Sequence, residues 1–316
     1  MPALQIDQHL LYLLAIIIIN FVIYWIKIIC YIYNMMIDSS FRRVDQIKEL
    51  FDKLYDVHII RTNVNNDPIK FLYQYKNPED IEVSGFIASC LAYGRVEQFN
   101  PLIEKTLCAM GKSPYNFLLS FDTVKQGHLF SGIKHRFNKN KDIVCLLHIL
   151  SIALNKYGSI EDVFKESYKK EDTDIGNGLA GFFDFMRNVD TSKVYGKNIH
   201  PRGLLHFFPS RSSALKRANL FLRWMVRDRD IDFGIWKGIP KNKLIIPLDT
   251  HIKTISKHFG FTTRASEDWK MAVEITGALK EFDKDDPLKY DFALCHLGIS
   301  GKWKEVLING AERDTH

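Results

Sequence analysis

The chain is 316 residues long, 46% hydrophobic and 25% charged, with 43 Lys or Arg against 37 Asp or Glu for a net charge of +6. That is enough for about two domains and a sizeable core, and the mild basic excess suits a nucleic-acid partner without demanding one. Its five cysteines (Cys30, Cys90, Cys108, Cys145 and Cys295) are dispersed with no CxxC pair, which excludes a structural zinc site and speaks for reduced thiols in a cytoplasmic protein.

Leu10 to Tyr33 is a 24-residue apolar run whose only charge is Lys27. It is long enough to span a bilayer, and Arg42, Arg43 and Lys48 behind it would hold the remainder in the cytoplasm. It lacks the basic start and small-residue cleavage site of a secretory signal. Two readings stay open for residues 1–36. One is a membrane anchor with bilayer contact through residues 10–33. The other is a misassigned start, with Met35 and Met36 as alternatives. The segment carries one acid, Asp7, and one base, Lys27, so the rest keeps the same net charge.

From Ser39 to Tyr55, Val44, Ile47, Leu50, Phe51 and Leu54 keep helical spacing. VNNDPIKF reads as a turn. Glu79 to Tyr93 is apolar on several sides and predicts a buried helix, ending at Tyr93-Gly94-Arg95. Pro101 to Met110 predicts a short helix closed by Gly111. KHRFNKNKD, residues 134–142, is a basic patch with Lys134, Arg136, Lys139 and Lys141 against Asp142. Residues 143–156 return to helical spacing, and Ser159 to Gly203 turns polar around Val163-Phe164 and Phe182 to Met186.

Pro209 to Gly260 holds the most informative pattern. Ser210, Ser212 and Ser213 offer hydroxyls to cap a helix in which Leu215, Ala218, Leu222 and Met225 share an apolar face. Lys216, Asn219, Arg223 and Arg227 share the neighbouring face, and Arg202 to Arg229 carries seven Lys or Arg against one acid, Asp228. Such a stripe suits a polyanion or is simply a solvated face. A second helix opens at Asp249 and stops at Gly260. Trp269 to Phe282 predicts another helix, DKDDP a solvated turn, Tyr290 to Leu297 a closing helix, and residues 310–316 a disordered tail. Strand-length alternation is nearly absent, so the fold class is all-α: two helical lobes with a groove, spanning 37–309 and preceded by the hydrophobic N-terminal helix. GxxxxGK, GxGxxG and HExxH are absent, and no metal or cofactor is implied.

LKRANLFL resembles the Lys-bearing helix of helix-hairpin-helix DNA glycosylases, and PLDTHIKTISKHFG is similar to their catalytic segment. The resemblance implies Lys216 as the nucleophile at the sugar C1′ and Asp249 as the partner carboxylate, in a DNA glycosylase/AP lyase working through a Schiff base. It also implies DNA, or RNA, as partner, a monomer, and nucleic-acid contacts from Arg211, Ser212, Arg217, Asn219, Arg223, Arg227, Arg95 and His251. Arg217 and Arg223 would help the amine shed its proton. Trp224, Trp236, Phe233, Phe207 and Phe208 are candidates for stacking on an extruded base, and Asp291 and His296 would lie near the pocket. The chain departs from that superfamily where FFPSRSS replaces a Gly-apolar-Gly hairpin, and in the insertion DRDIDFGIWKGIPKN between Lys216 and Asp249. The alternative is a non-catalytic nucleic-acid-binding protein on the same scaffold. From about Asp38 onward the chain is also similar to a bacterial family of conserved hypothetical proteins, on segments including EDIEVSGFIASCLAYGR, GKSPYNFLLS, DFGIWKGI and DPLKYDFALCHLGI.

Overall fold

The structure, a computed structural model, describes residues 44–55, 64–197, 199, 203–210 and 212–301. The 10–33 apolar run, Arg211 and the 310–316 tail lie outside them. The chain divides into two compact units, Met1–Asp52 and Lys53–His316. Of the first, residues 44–52 are described; they are helical, with Lys48 and Asp52 paired at 2.8 Å one turn apart.

In the second unit the described residues form helices and turns without a strand. Eight longer helices carry it: α1 (Pro78–Leu91), α2 (Val96–Met110), α3 (Asn140–Tyr157), α4 (Gly176–Asn188), α5 (Lys216–Val226), α6 (Thr250–Phe259), α7 (Trp269–Leu279) and α8 (Asp291–Ser300). Among the described residues no helix is long and apolar enough to cross a membrane.

The centre of this unit is α1. Pro78 occupies its first turn with Glu79 and Asp80, which favours a helix start at the positive end of the dipole. Every residue from Asp80 to Leu91 is buried, as the apolar residues on several sides predict. The helix packs on a 3-10 segment, Pro68–Gln74, and on α2 and α5. Gly85 permits that closeness: a Cβ there would sit 3.0 Å from Leu72 Cδ2 and 3.1 Å from Met225 Cε. The buried Glu82 carboxylate ties α1 to more distant chain. It accepts hydrogen bonds from the Ile160 and Glu161 amides, both at 2.9 Å, and from Trp236 Nε1 at 2.7 Å. Burial outweighs those donors and pushes its pKa up to about 7.

Two sequence expectations need correcting here. Pro101 sits in the second turn of α2, not at its start; the helix begins at Val96 and forgoes one backbone bond at the proline. The serines before α5 do not cap it. Ser210 and Ser212 bond each other at 2.7 Å and Ser213 bonds the Ser210 carbonyl, while the cap position is Leu215, left-handed at φ 51° and without a side-chain cap. Beyond α5, α6 pairs with α8, so the first turn of α5 and the start of α6 open onto a common space.

Candidate functional site

That space is a cavity of about 790 Å³. Two helix starts reach it. Asp249 is the N-cap of α6: its Oδ1 accepts from the His251 amide at 2.9 Å and the Ile252 amide at 2.8 Å. Asp is well suited to this, because the carboxylate satisfies two orphan amides at the positive end of the helix, worth about 1 kcal/mol. Its other oxygen, Oδ2, accepts from Lys216 Nζ at 2.9 Å. Lys216 is the first residue of α5, and the left-handed turn at Leu215 sets the direction in which the helix leaves. The carboxylate is 12% exposed and the lysine side chain 44%, so the amine is the solvent-facing partner.

The electrostatics follow from this contact. Burial works to lower the Lys216 pKa, but the charge and hydrogen bond of Asp249 outweigh it and hold the ammonium above its ordinary range. Burial likewise works to raise Asp249, and Lys216 with the Ile252 amide overrides it, so the carboxyl stays below its usual value. At rest the pair is an ion pair. This differs from the expectation that Arg217 and Arg223 depress the amine, because both guanidiniums are committed elsewhere. Arg217 donates from Nη1 to the Cys90 carbonyl at 2.6 Å and from Nη2 to the His206 carbonyl, and lies over the Tyr93 ring.

Arg223 is only 3% exposed, yet it borders the cavity. Its Nε pairs with Asp232 at 3.2 Å and its Nη1 with Asp291 at 2.5 Å, while Nη2 has no hydrogen-bond partner among the described residues. Arg227 lies one turn further and is equally buried; it pairs with Asp230 at 2.6 Å and with Asp232 and Asp286 at 2.9 Å each. Two guanidiniums therefore hold four carboxylates. Burial pushes Asp291 up to about 6 in spite of Arg223.

The nucleic-acid stripe is accordingly corrected for three of its members. Asn219, Arg223 and Arg227 are buried, Asn219 completely, and present no free charge to solvent. Ser212 is exposed but does not border the cavity. Arg95 and His251 do border it, and Arg95 is exposed. The proposed base-stacking aromatics are also corrected. Trp224, Trp236, Phe207 and Phe208 are core residues, and Phe233 packs on Tyr73 with ring centres 4.8 Å apart. The rings that do border the cavity are those of Tyr93, Phe99, Phe292, His251 and His296.

Asp291 and His296 border the cavity, where the resemblance puts them. Asp67, Tyr93 and Cys295 join them, although the sequence expectations give none of the three a place in the site. The Cys295 Sγ stands 3.6 Å from Asp249 Oδ2, and burial, with Asp249 and Asp291 nearby, pushes the thiol well above its ordinary pKa. The clue was the four-residue spacing in DFALCH, which sets Asp291 above Cys295 and Phe292 above His296 on adjoining faces of α8. Among the described residues no three or more His, Cys, Asp or Glu group as metal ligands.

A family model described as a protein of unknown function (DUF2400) matches residues 67–300. No curated protein and no solved structure matches the chain.

Proposed function

The chain belongs to this family of unknown function, and on the resemblance of its Lys216 and Asp249 segments we propose that it is a nucleobase-excising lyase of the helix-hairpin-helix glycosylase type, with Lys216 as nucleophile and Asp249 as its proton acceptor. The observation that carries the reading is the 2.9 Å contact between that amine and that carboxylate at the edge of a 790 Å³ cavity. The two groups are 33 residues apart in the chain, and each sits at the start of its own helix.

The ion pair sets the order of events. Lys216 passes one proton to Asp249 as its freed lone pair attacks the sugar C1′ of an extruded nucleotide. The C1′–N bond breaks, its electron pair leaves with the base, and the proton on Asp249 ends on that base. One of the two protons on the attached nitrogen moves to O4′ as the C1′–O4′ bond opens, leaving a protonated imine. Water takes up a C2′ proton, its C–H electron pair forms the C2′–C3′ double bond, and the C3′–O bond breaks with its electron pair leaving on the phosphate. Asp249, ionised again, stabilises the cationic imine.

One observation favours a second reading. An ammonium held above its ordinary pKa by Asp249 suits a fixed cation gripping a phosphate, in a nucleic-acid-binding protein without chemistry. Borohydride reduction in the presence of an abasic-site duplex separates the two. The enzyme reading expects a covalent adduct that disappears in Lys216→Ala. Binding that weakens in Lys216→Ala and falls with salt, with no adduct from wild type or variant, establishes the second reading in its place.

A further inference from the structure

The loop carrying the second basic patch is built around one exposed ring. His135 and Asn138 exchange backbone hydrogen bonds at 2.8 Å in both directions, pinching Arg136 and Phe137 into a two-residue tip. Arg136 takes a left-handed φ of 48°, a conformation disfavoured for a residue with a Cβ. The pinch is anchored from below. Tyr93 Oη lies 2.7 Å from the His135 carbonyl oxygen and 2.6 Å from Asn138 Oδ1, with one hydroxyl proton shared between the two acceptors, and His135 Nε2 meets the Tyr93 carbonyl at 2.7 Å. The tip is thus held rigidly against the end of α1, where the cavity begins.

What the tip presents is a ladder of parallel rings. Phe137, 61% exposed, stacks on His206 with centres 4.9 Å apart and planes within 3°. His206 in turn lies parallel to Tyr93, 6.3 Å away at 12°, and Tyr93 borders the cavity. Cations close both ends: Arg217 lies 5.1 Å from the Tyr93 ring centre and Arg136 5.4 Å from that of Phe137. The Arg136 side chain runs along Gly94, so close that a Cβ there would meet it at 3.2 Å. Lys134, Lys139 and Lys141 flank the tip, all exposed.

A single exposed apolar side chain is ordinary on a protein surface; what sets Phe137 apart is its place in a stack of rings among cations. Stacked planar rings among cations match one chemistry well: flat π-faces joined by anions, meaning unpaired nucleobases on a phosphate chain. A duplex is a poorer match, because its bases hide their faces. The arginines that would have formed a broad phosphate-binding stripe on α5 are buried in ion pairs.

We infer that the Phe137–His206–Tyr93 ladder is a stacking platform for an unpaired stretch of nucleic acid, leading a single strand to the cavity. The inference shares with the proposed function the premise of a nucleic-acid ligand, but it requires no chemistry at Lys216. Fluorescence anisotropy of the full chain with a labelled mixed-sequence 15-mer, single-stranded and as a duplex, tests it, with 2-aminopurine in the strand reporting stacking. The single strand is expected to bind more tightly than the duplex and to quench 2-aminopurine. Phe137→Ala is expected to weaken it roughly tenfold or more, with an unchanged melting temperature, and Phe137→Trp to restore it. Arg136→Gln should lower the slope of log affinity against log salt by about 0.7, while Phe137→Ala leaves that slope unchanged. Equal binding by wild type and Phe137→Ala, or a preference for duplex, overturns the platform. A borohydride adduct on abasic-site duplex would then leave the lyase reading standing, and no adduct on an abasic-site single strand that binds through the platform would sink the lyase alone.

Discussion

The two ends of α5 carry the same kind of residue and do opposite things. At its first turn Lys216 faces a single carboxylate from a half-exposed position; at its last, Arg223 and Arg227 are sealed among four. Spacing along the helix treats Lys216, Arg223 and Arg227 as one face. What separates them is the acid brought by other segments: Asp249 alone at one end, and Asp230, Asp232, Asp286 and Asp291 at the other. Cations in a row on a helix are therefore not a functional unit until their partners are known. A half-exposed pair contributes at most about 1 kcal/mol, whereas breaking a buried one costs several.

The comparison breaks most decisively at Arg227. Arg227→Met should lose about 3–5 kcal/mol in urea denaturation, because Asp230 and Asp286 are left without their cation and Asp232 keeps only Arg223. Since acid outnumbers base in the cluster, Asp291→Asn should cost less than half as much; an equal loss would mean that the surplus is illusory.

Acidity gives the next largest effect. The folded pKa of Asp291, about 6, and of Glu82, about 7, stand above their ordinary values of 3.8 and 4.5. The folded state thus binds protons that the unfolded state does not between about pH 4 and 7. Their contribution is full below the unfolded values and is lost as pH rises through the folded ones. Their part of the unfolding free energy should accordingly rise from pH 8 to pH 5, by an amount on the order of 1–3 kcal/mol. His135, His148 and His296, whose pKa values burial lowers, make an opposing contribution over the same range. Asp249, with a lowered pKa, acts oppositely, but only as pH falls below about 4. In Asp291→Asn the rise should shrink; if it stays whole, the cluster is not its source.

Smaller changes are expected at the other end. Lys216→Ala should alter stability by no more than about 1 kcal/mol while abolishing any borohydride adduct. Asp249→Asn keeps the cap, since Asn serves there as well as Asp, and should be milder still. Without the carboxylate the amine's pKa falls, so the pH profile of adduct formation should move to lower pH. A profile that stays in place would separate Asp249 from the protonation of Lys216.

The buried nature of α1, the Asp249 cap and the Gly260 stop were legible because each is a local property: apolar residues on several sides, a side chain reaching its own next amides, a left-handed glycine. The meeting of Lys216 with Asp249 came from resemblance and not from any spacing. The arginine cluster was missed for the converse reason. DRDID read as part of an insertion, yet it supplies Asp230 and Asp232 to the core, and DKDDP read as a solvated turn, yet Asp286 is 4% exposed and bonded to Arg227. The turn itself is there, with Asp283 accepting from the Asp285 and Asp286 amides. Nothing in its composition says that one of its acids points inward, because the partner lies 59 residues away. The KHRFNKNKD patch was legible as charge but not as a ring platform, since His206 and Tyr93 arrive from elsewhere in the chain.

The thiol beside Asp249 makes the molecule its own occupancy gauge. Alkylating reagents capture the thiolate, and Cys295 is held in the neutral form, whereas Cys108 is exposed. Once Cys108 has been blocked, the slow residual alkylation at Cys295 reads how open the chamber is, and anything lodged above Asp249 slows that clock.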